Sequence, residues 1–370
     1  MEIRPSFGKG FPYDAFVVGE DVPVHEAVVG IDDVVDLPRS WWKRLGGNGA
    51  FIRLQGTFQA QRGLYVVEIP GGGALEPQKQ LYEEQFFALT GRGATEAWQG
   101  RGDKLMFEWT AGAVFAIPRN VSHRLYNTGA EPAVLLAVTT APQVIDSLVD
   151  VDFIFNCDYD FVDLYANAAN GESYFSDPGV RTVEGRHNEV IWHTNVIRDA
   201  RRALLDDMEN KVSGGQLTGY RMGGQFPQGH ISQWPPGRYH KAHYHGPGAV
   251  LLGLDGEGYV LAWPSQLGIH PYQSGDETEV FRVNWRRNSI YSPPNAYFHQ
   301  HFNSGSVPAK HVAVYGSYLP LGAEMFEGGG EFRGYTSVKE GGTLINYEDE
   351  DPRIRSDFEA ELSRKGIPFR

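Results

Sequence analysis

The sequence predicts an all-β protein of two barrels in one chain with a few short helices, and three observations carry that expectation. Composition is the first: 45 glycines and 22 prolines, with 13% aromatic residues, describe many short strands joined by tight turns. Length is the second, because 370 residues exceed one ordinary core and suit two. The third is an internal repeat. Glu84 and Gly91 in the first half share their spacing with Ala249 and Gly256 in the second, and Pro118-x-Asn120-x-x-His123-x-x-x-Asn127 returns as Pro294-x-Ala296-x-x-His299-x-x-x-Asn303. Gly91 and Gly256 lie 165 residues apart but His123 and His299 lie 176 apart, which places an insertion in the second copy, at Gln266 to Gly275. Two blocks repeated in the same order imply a repeated architecture.

Each element follows from local pattern. Glycine-punctuated apolar runs at Ala50 to Leu54, Gly63 to Pro70, Gln85 to Leu89, Leu105 to Trp109, Val114 to Pro118 and Ala133 to Thr139 read as strands of one barrel. His230 to Trp234, Ala249 to Leu254, Gly258 to Trp263, Val280 to Trp285, Ser289 to Ser292 and His311 to Ser317 read as a second set. Domains are expected at 1–145 and 216–320, with a connector at 146–215 whose charged stretch, Arg198 to Lys211, reads as helix. A tail at 321–370 ends in a helix from Ser356 to Lys365, with Ser356 and Glu359 spaced as a capping box.

The formal charge of -13 disfavours nucleic acid and anionic membranes as partners, and no apolar run approaches the ~18 to 20 residues of a membrane helix. A single cysteine, Cys157, excludes an internal disulfide and a thiolate-rich metal site and reads as core filling. A cytoplasmic protein is expected, without a signal segment.

The repeated blocks resemble the paired motifs of the cupin superfamily, double-stranded β-helix or jelly-roll barrels, in which a strand bearing His-x-His and then Glu faces a later strand bearing a third His. The resemblance implies that the metal positions of the first barrel are Gln78, Gln80, Glu84 and His123, a vestigial site in which both paired histidines are lost. In the second barrel the same positions read His243, His245, Ala249 and His299, with only the carboxylate missing. Residues i and i+2 of a strand share a face, so His243 and His245 point together and His299 completes a three-histidine site with open coordination positions. The alternative is that these are buried, hydrogen-bonded histidines of an empty barrel.

Around this set, His301 and Tyr297 share the face of His299 if their segment is extended. They can touch substrate or dioxygen, or serve as a second-layer partner and a core aromatic. His240 reads as a rim residue or an exposed loop histidine, and Trp234 and Tyr239 as a pocket wall or plain core. One of Arg238, Lys241, Arg282, Arg286 and Arg287 is a candidate clamp for a substrate carboxylate, the others being solvated.

The stretches Lys241 to Ala249, Pro293 to Asn303 and Tyr347 to Arg355 are similar to those of a family of bacterial double-cupin proteins, over about Arg44 to the end. Members of that family usually carry histidine where this chain has Gln80, which again assigns the chemistry to the second barrel. More distantly, the double barrel with a three-histidine set resembles the gentisate and hydroxynaphthoate dioxygenases, whose metal generally sits in the N-terminal barrel. That resemblance implies Fe(II) and ring cleavage by dioxygen. The function expected is a mononuclear non-heme iron(II) dioxygenase acting on a small chelating aromatic or enolisable substrate, in a homo-oligomer. The alternatives are a lyase, isomerase or hydrolase using Zn, Ni or Mn, and a non-catalytic ligand-binding bicupin.

Overall fold

The computed structural model describes residues 10–100, 104–161, 173–176, 178–184, 189–222, 228–245, 249–273, 277–315 and 336–370. Within them two barrels are built the same way, each from a large sheet closed by a three-stranded one. In the first, Gly47–Leu54, Gly63–Ile69, Ala133–Thr139, Glu84–Thr90 and Val114–Ile117 run side by side, and Arg92–Trp98, flanked by Ser122–Asn127 and Leu105–Thr110, forms the closing sheet. In the second, Gln216–Arg221, Gln228–Trp234, Ala309–Val314, Val250–Asp255 and Ile290–Tyr291 face Gly258–Pro264 with its neighbours Tyr297–Asn303 and Phe281–Trp285.

Pattern explains placement. Leu105–Thr110 alternates buried and exposed residues, as a strand with one wet face must, whereas Ala133–Thr139 is buried throughout because it is covered on both faces. The large sheets pack against each other through Ile52, Val66, Leu136, Ile231, Leu252 and Val312, all buried. Strand exchange adds to the union: Gly30–Ile31 pairs with Ile290–Tyr291 of the second barrel, and Val196–Ile197 pairs with Val114 and Phe115 of the first.

The insertion lies where the offsets place it, between Gly258–Pro264 and Phe281–Trp285, and carries short helical turns at Ser265–Leu267 and Pro271–Gln273; its last residues, 274–275, fall outside the described residues. Two strands missed in the first barrel are Arg92–Trp98 and Ser122–Asn127, whose many polar residues hide the two-residue period. Two expectations are corrected. Arg198 to Lys211 is not an α-helix; it follows the short strand Val196–Ile197 and makes a single helical turn at Ala200–Arg202 and the strand Asp206–Asp207, because tertiary pairing overrides its propensity. The terminal helix spans Pro352–Lys365 and is capped by Asp351, whose carboxylate accepts from the Arg353 N–H at 3.0 Å, so Ser356 is interior and not a cap. Ile354, Phe358 and Leu362 of that helix bury against Tyr239, Tyr259 and Phe302 on the outer face of the closing sheet. Among the described residues no helix is long and apolar enough to cross a membrane.

Candidate metal centre

The centre starts from a two-residue antiparallel bridge. The His299 N–H donates to the His243 carbonyl at 2.9 Å and the His243 N–H returns to the His299 carbonyl at 3.2 Å. The other edge of this segment is held by the C-terminal region, where Ile345 N–H donates to the Ala242 carbonyl (2.8 Å) and Tyr244 N–H donates to the Thr343 carbonyl (3.2 Å). The histidine-bearing segment is thus fixed on both sides.

His243, His245 and His299 bring one ring nitrogen each to within 4.8 Å of one another. Ring centroids lie 4.4 Å apart for His243 and His299 and 4.9 Å apart for His245 and His299. His299 Nδ1 sits 3.0 Å from the Tyr297 carbonyl and His243 Nδ1 3.3 Å from that of Lys241, each two residues back in the chain. A hydrogen bond there fixes the Nδ1–H tautomer and leaves Nε2 as the free lone pair. Burial pushes the pKa of both imidazoles well below the ordinary value, with the Lys211 charge adding to the effect, so both are neutral ligands near pH 7. Ala249 is buried at the place of a fourth, anionic ligand and supplies none. The donor set fits a divalent transition ion.

Lys211 was not legible as a site residue. Its Nζ lies 2.7 Å from His243 Nε2, and its carbonyl accepts from the Lys241 N–H at 2.8 Å, which ties the connector to the histidine segment. A metal ion held by His243 Nε2 would compete with this ammonium for one lone pair. The basic residues considered as clamps are engaged elsewhere. Arg282 pairs with Glu361, Arg286 with Asp33, Arg287 with Asp255, and Lys241 with Asn346. The charge of Arg238 acts on Tyr347, on the side of the terminal segment.

Of the neighbours, Tyr297 is half-buried and packs among the barrel interior. His301 is 5% exposed, lies 5.6 Å from the His299 ring and places Nδ1 3.1 Å from the Tyr291 hydroxyl. His240 corrects the exposed-loop reading: its ring packs 4.6 Å from Trp234 and 5.2 Å from His301, inside the barrel. Tyr239, one residue away, points outward by strand alternation, stacking 4.9 Å from Phe302 and donating to Glu350, so it is no pocket wall. Trp234 lines the interior.

The vestigial positions repeat the backbone without the donors. Gln78 and His123 form the same bridge, at 2.8 and 2.9 Å, but the Gln78 amide turns away to the Arg44 carbonyl and guanidinium. Glu84 instead accepts from Gln80 at 2.7 Å and from Tyr65 at 2.9 Å, and His123 Nε2 stands 3.6 Å from it. Burial raises the Glu84 carboxyl to about 7 and lowers His123 to about 4.

The fold is that of two cupin barrels in one chain, and in the second of them three imidazoles converge. Residues 65–139, within the first barrel, match the family described as cupin domain. No curated protein sequence matches the chain. Among solved structures it is similar to a serine-to-alanine variant of Bacillus subtilis oxalate decarboxylase, at 13% identity and a TM-score of 0.48, over 79% of this chain and 78% of that one. A structure from work on the Mn(II) centres of the same enzyme gives 13% identity and a TM-score of 0.48, over 80% and 78%. None of these matches carries the likeness to gentisate and hydroxynaphthoate dioxygenases.

Proposed function

We propose that the chain is a mononuclear metalloenzyme, an iron(II) dioxygenase, that takes a small anionic chelating substrate, aromatic or enolisable, together with dioxygen at His243, His245 and His299. The observation that supports this reading is the convergence of three imidazoles with, among the described residues, no carboxylate in the cluster. Three neutral ligands leave a bound ion its full charge, which favours an anionic bidentate partner and keeps adjacent positions open. A bound ferrous ion supplies the redox chemistry that brings substrate and dioxygen together. The chain's own contributions are positional. The Tyr297 and Lys241 carbonyls hold two imidazoles in one tautomer, and Lys211 presents a cation to an oxygen on the substrate.

A second reading, a lyase or isomerase using Mn, Zn or Ni, draws on the contacts from His301 to the Tyr291 hydroxyl (3.1 Å) and from there to His311 (2.6 Å), a chain able to move a proton. Metal analysis of anaerobically purified protein, with oxygen uptake over a panel of hydroxybenzoates and diketones, separates the two. About one iron per chain with substrate-dependent uptake supports the dioxygenase. Manganese, zinc or nickel without uptake supports the second reading, and a chain that holds no metal sinks both.

A further inference from the structure

The repeat lets each residue inside the second barrel be compared with its counterpart in the first. Leu75 donates its N–H to the Leu125 carbonyl at 2.9 Å, as His240 does to that of His301 at 2.9 Å. Ile69 pairs with Ala133 as Trp234 pairs with Ala309, Phe86 with Phe115 as Leu251 with Tyr291, and Val67 with Leu135 as Ser232 with His311. Five positions that hold Ile69, Leu75, Phe115, Leu125 and Leu135 in the first barrel therefore hold Trp234, His240, Tyr291, His301 and His311 in the second. The first set is continuous hydrocarbon core. The second is a cluster of indole, imidazole and phenol rings, with Trp234 4.9 Å and Trp285 4.3 Å from His311.

The cluster is short of acceptors. In the first barrel Trp109 Nε1 donates to Thr95 Oγ1 at 3.1 Å; in the second, Val260 stands in the place of Thr95 and Trp285 Nε1 is buried with no partner. Trp234 Nε1, His240 Nε2 and His311 Nε2 are likewise buried and unpartnered. Because the Tyr291 hydroxyl has one proton to give, donating it across the 2.6 Å contact to His311 Nδ1 leaves that imidazole protonated at Nε2. Three N–H donors then lack acceptors in one place. Each is a desolvated donor that destabilises the barrel if left so, on a backbone that the first copy fills with hydrocarbon.

We propose that this inner cluster is a receiving pocket for an anionic oxygen group of the ligand, chiefly a carboxylate, held by Trp234, Trp285 and His311 while the ligand's other end reaches the three imidazoles. The part concerning that other end rests on the metal-centre reading; the pocket itself is made of protein groups alone. The cation that acts on both His240 and His301 is Lys211, the imidazoles around them being kept neutral by burial, so the field there favours an anion.

Catechol and 3,4-dihydroxybenzoate, which share a chelating edge and differ by one carboxylate, test this by calorimetry on Co(II)-loaded and metal-free protein. The expected result is at least tenfold tighter binding of 3,4-dihydroxybenzoate to the loaded wild type. Val260→Thr restores the acceptor that Trp109 has, and His311→Leu restores the residue of the first copy. In both, the preference should fall below threefold, with Co(II) content and catechol affinity unchanged. Equal affinities in the wild type, or an undiminished preference in folded Val260→Thr, overturn the pocket. If Co(II) is not held, the metal-centre reading fails, and the metal-free titration decides the pocket: binding of 3,4-dihydroxybenzoate that Val260→Thr weakens supports it, and no binding overturns it.

Discussion

The first barrel keeps at Gln78, Gln80, Glu84 and His123 the backbone that the second uses at His243, His245, Ala249 and His299. In both, a bridge joins the strand segments, and in both the later histidine aims its Nδ1 at the carbonyl two residues back, 3.1 Å away at Val121 and 3.0 Å at Tyr297. Asn120 and Ala296 both take a left-handed φ of 58° at the turn before it. The geometry that presents ligands is therefore a property of the barrel, and the ability to hold an ion is a property of a few side chains. Where those were lost, the carboxylate found partners in Tyr65 and Gln80, and the interior closed over them.

The contrast breaks most sharply if the wrong histidine matters. His299→Ala should weaken Co(II) affinity by more than ~100-fold, beyond the loss typical of an outer partner, while His123→Ala leaves it unchanged. Equilibrium dialysis of the two variants measures this, and equal losses would erase the distinction between the barrels. The converse is a graft. Gln78→His with Gln80→His, beside the existing Glu84 and His123, should raise bound Co(II) from about one ion to about two per chain.

A third measurement concerns what a buried carboxylate costs when no cation is bound to it. Glu84 is raised to about 7 in the fold, so its contribution to stability is lost as pH rises from its ordinary value of 4.5 towards 7 and stays lost above. His123, lowered to about 4, contributes in full above 6.5 and loses stability as pH falls to about 4, an opposite slope in nearly the same window. Glu84→Gln should stabilise the chain at pH 8 by up to about 3 kcal/mol and have no such effect at pH 4. Urea unfolding at the two pH values shows it; a pH-independent change would mean that Glu84 is not desolvated in the way its surroundings imply.

How much of this was legible in the sequence depends on the length scale of the signal. Spacing located the repeat and the insertion, because the offset between copies is written in the chain itself, and the resemblance to the cupin motifs laid on that spacing picked out the three imidazoles. Lys211 was hidden because it reaches His243 from a segment whose composition reads as helix and whose true course is set by pairing with the second sheet. The directions of Tyr239 and His240 were lost for want of a register: adjacent residues in an extended segment face opposite sides, and only the pairing of Tyr239 with Phe302 shows which is which. The inner cluster had a usable signal that a motif search passes over. Aligning the copies by their two offsets sets His301 and His311 against Leu125 and Leu135, a change from aliphatic to titratable at core positions.

The smallest effect expected tests whether the two copies are equivalent where no chemistry is done. Asn127 donates to the carbonyls of Ile69 and Glu131 and accepts from the Gly129 N–H; Asn303 does the same with Trp234, Val307 and Gly305, all within 2.8–3.2 Å. Each asparagine ties a strand end to the following turn, and truncation leaves buried carbonyls and an amide without partners, about 2 kcal/mol apiece. Asn127→Ala and Asn303→Ala should cost the same stability in metal-free protein to within about 0.5 kcal/mol. They should diverge only when Co(II) is added, because Asn303 shares its strand with His299. A larger cost for Asn303→Ala in metal-free protein would place part of the second barrel's stability in its turn, and the barrels would then differ in scaffold as well as in side chains.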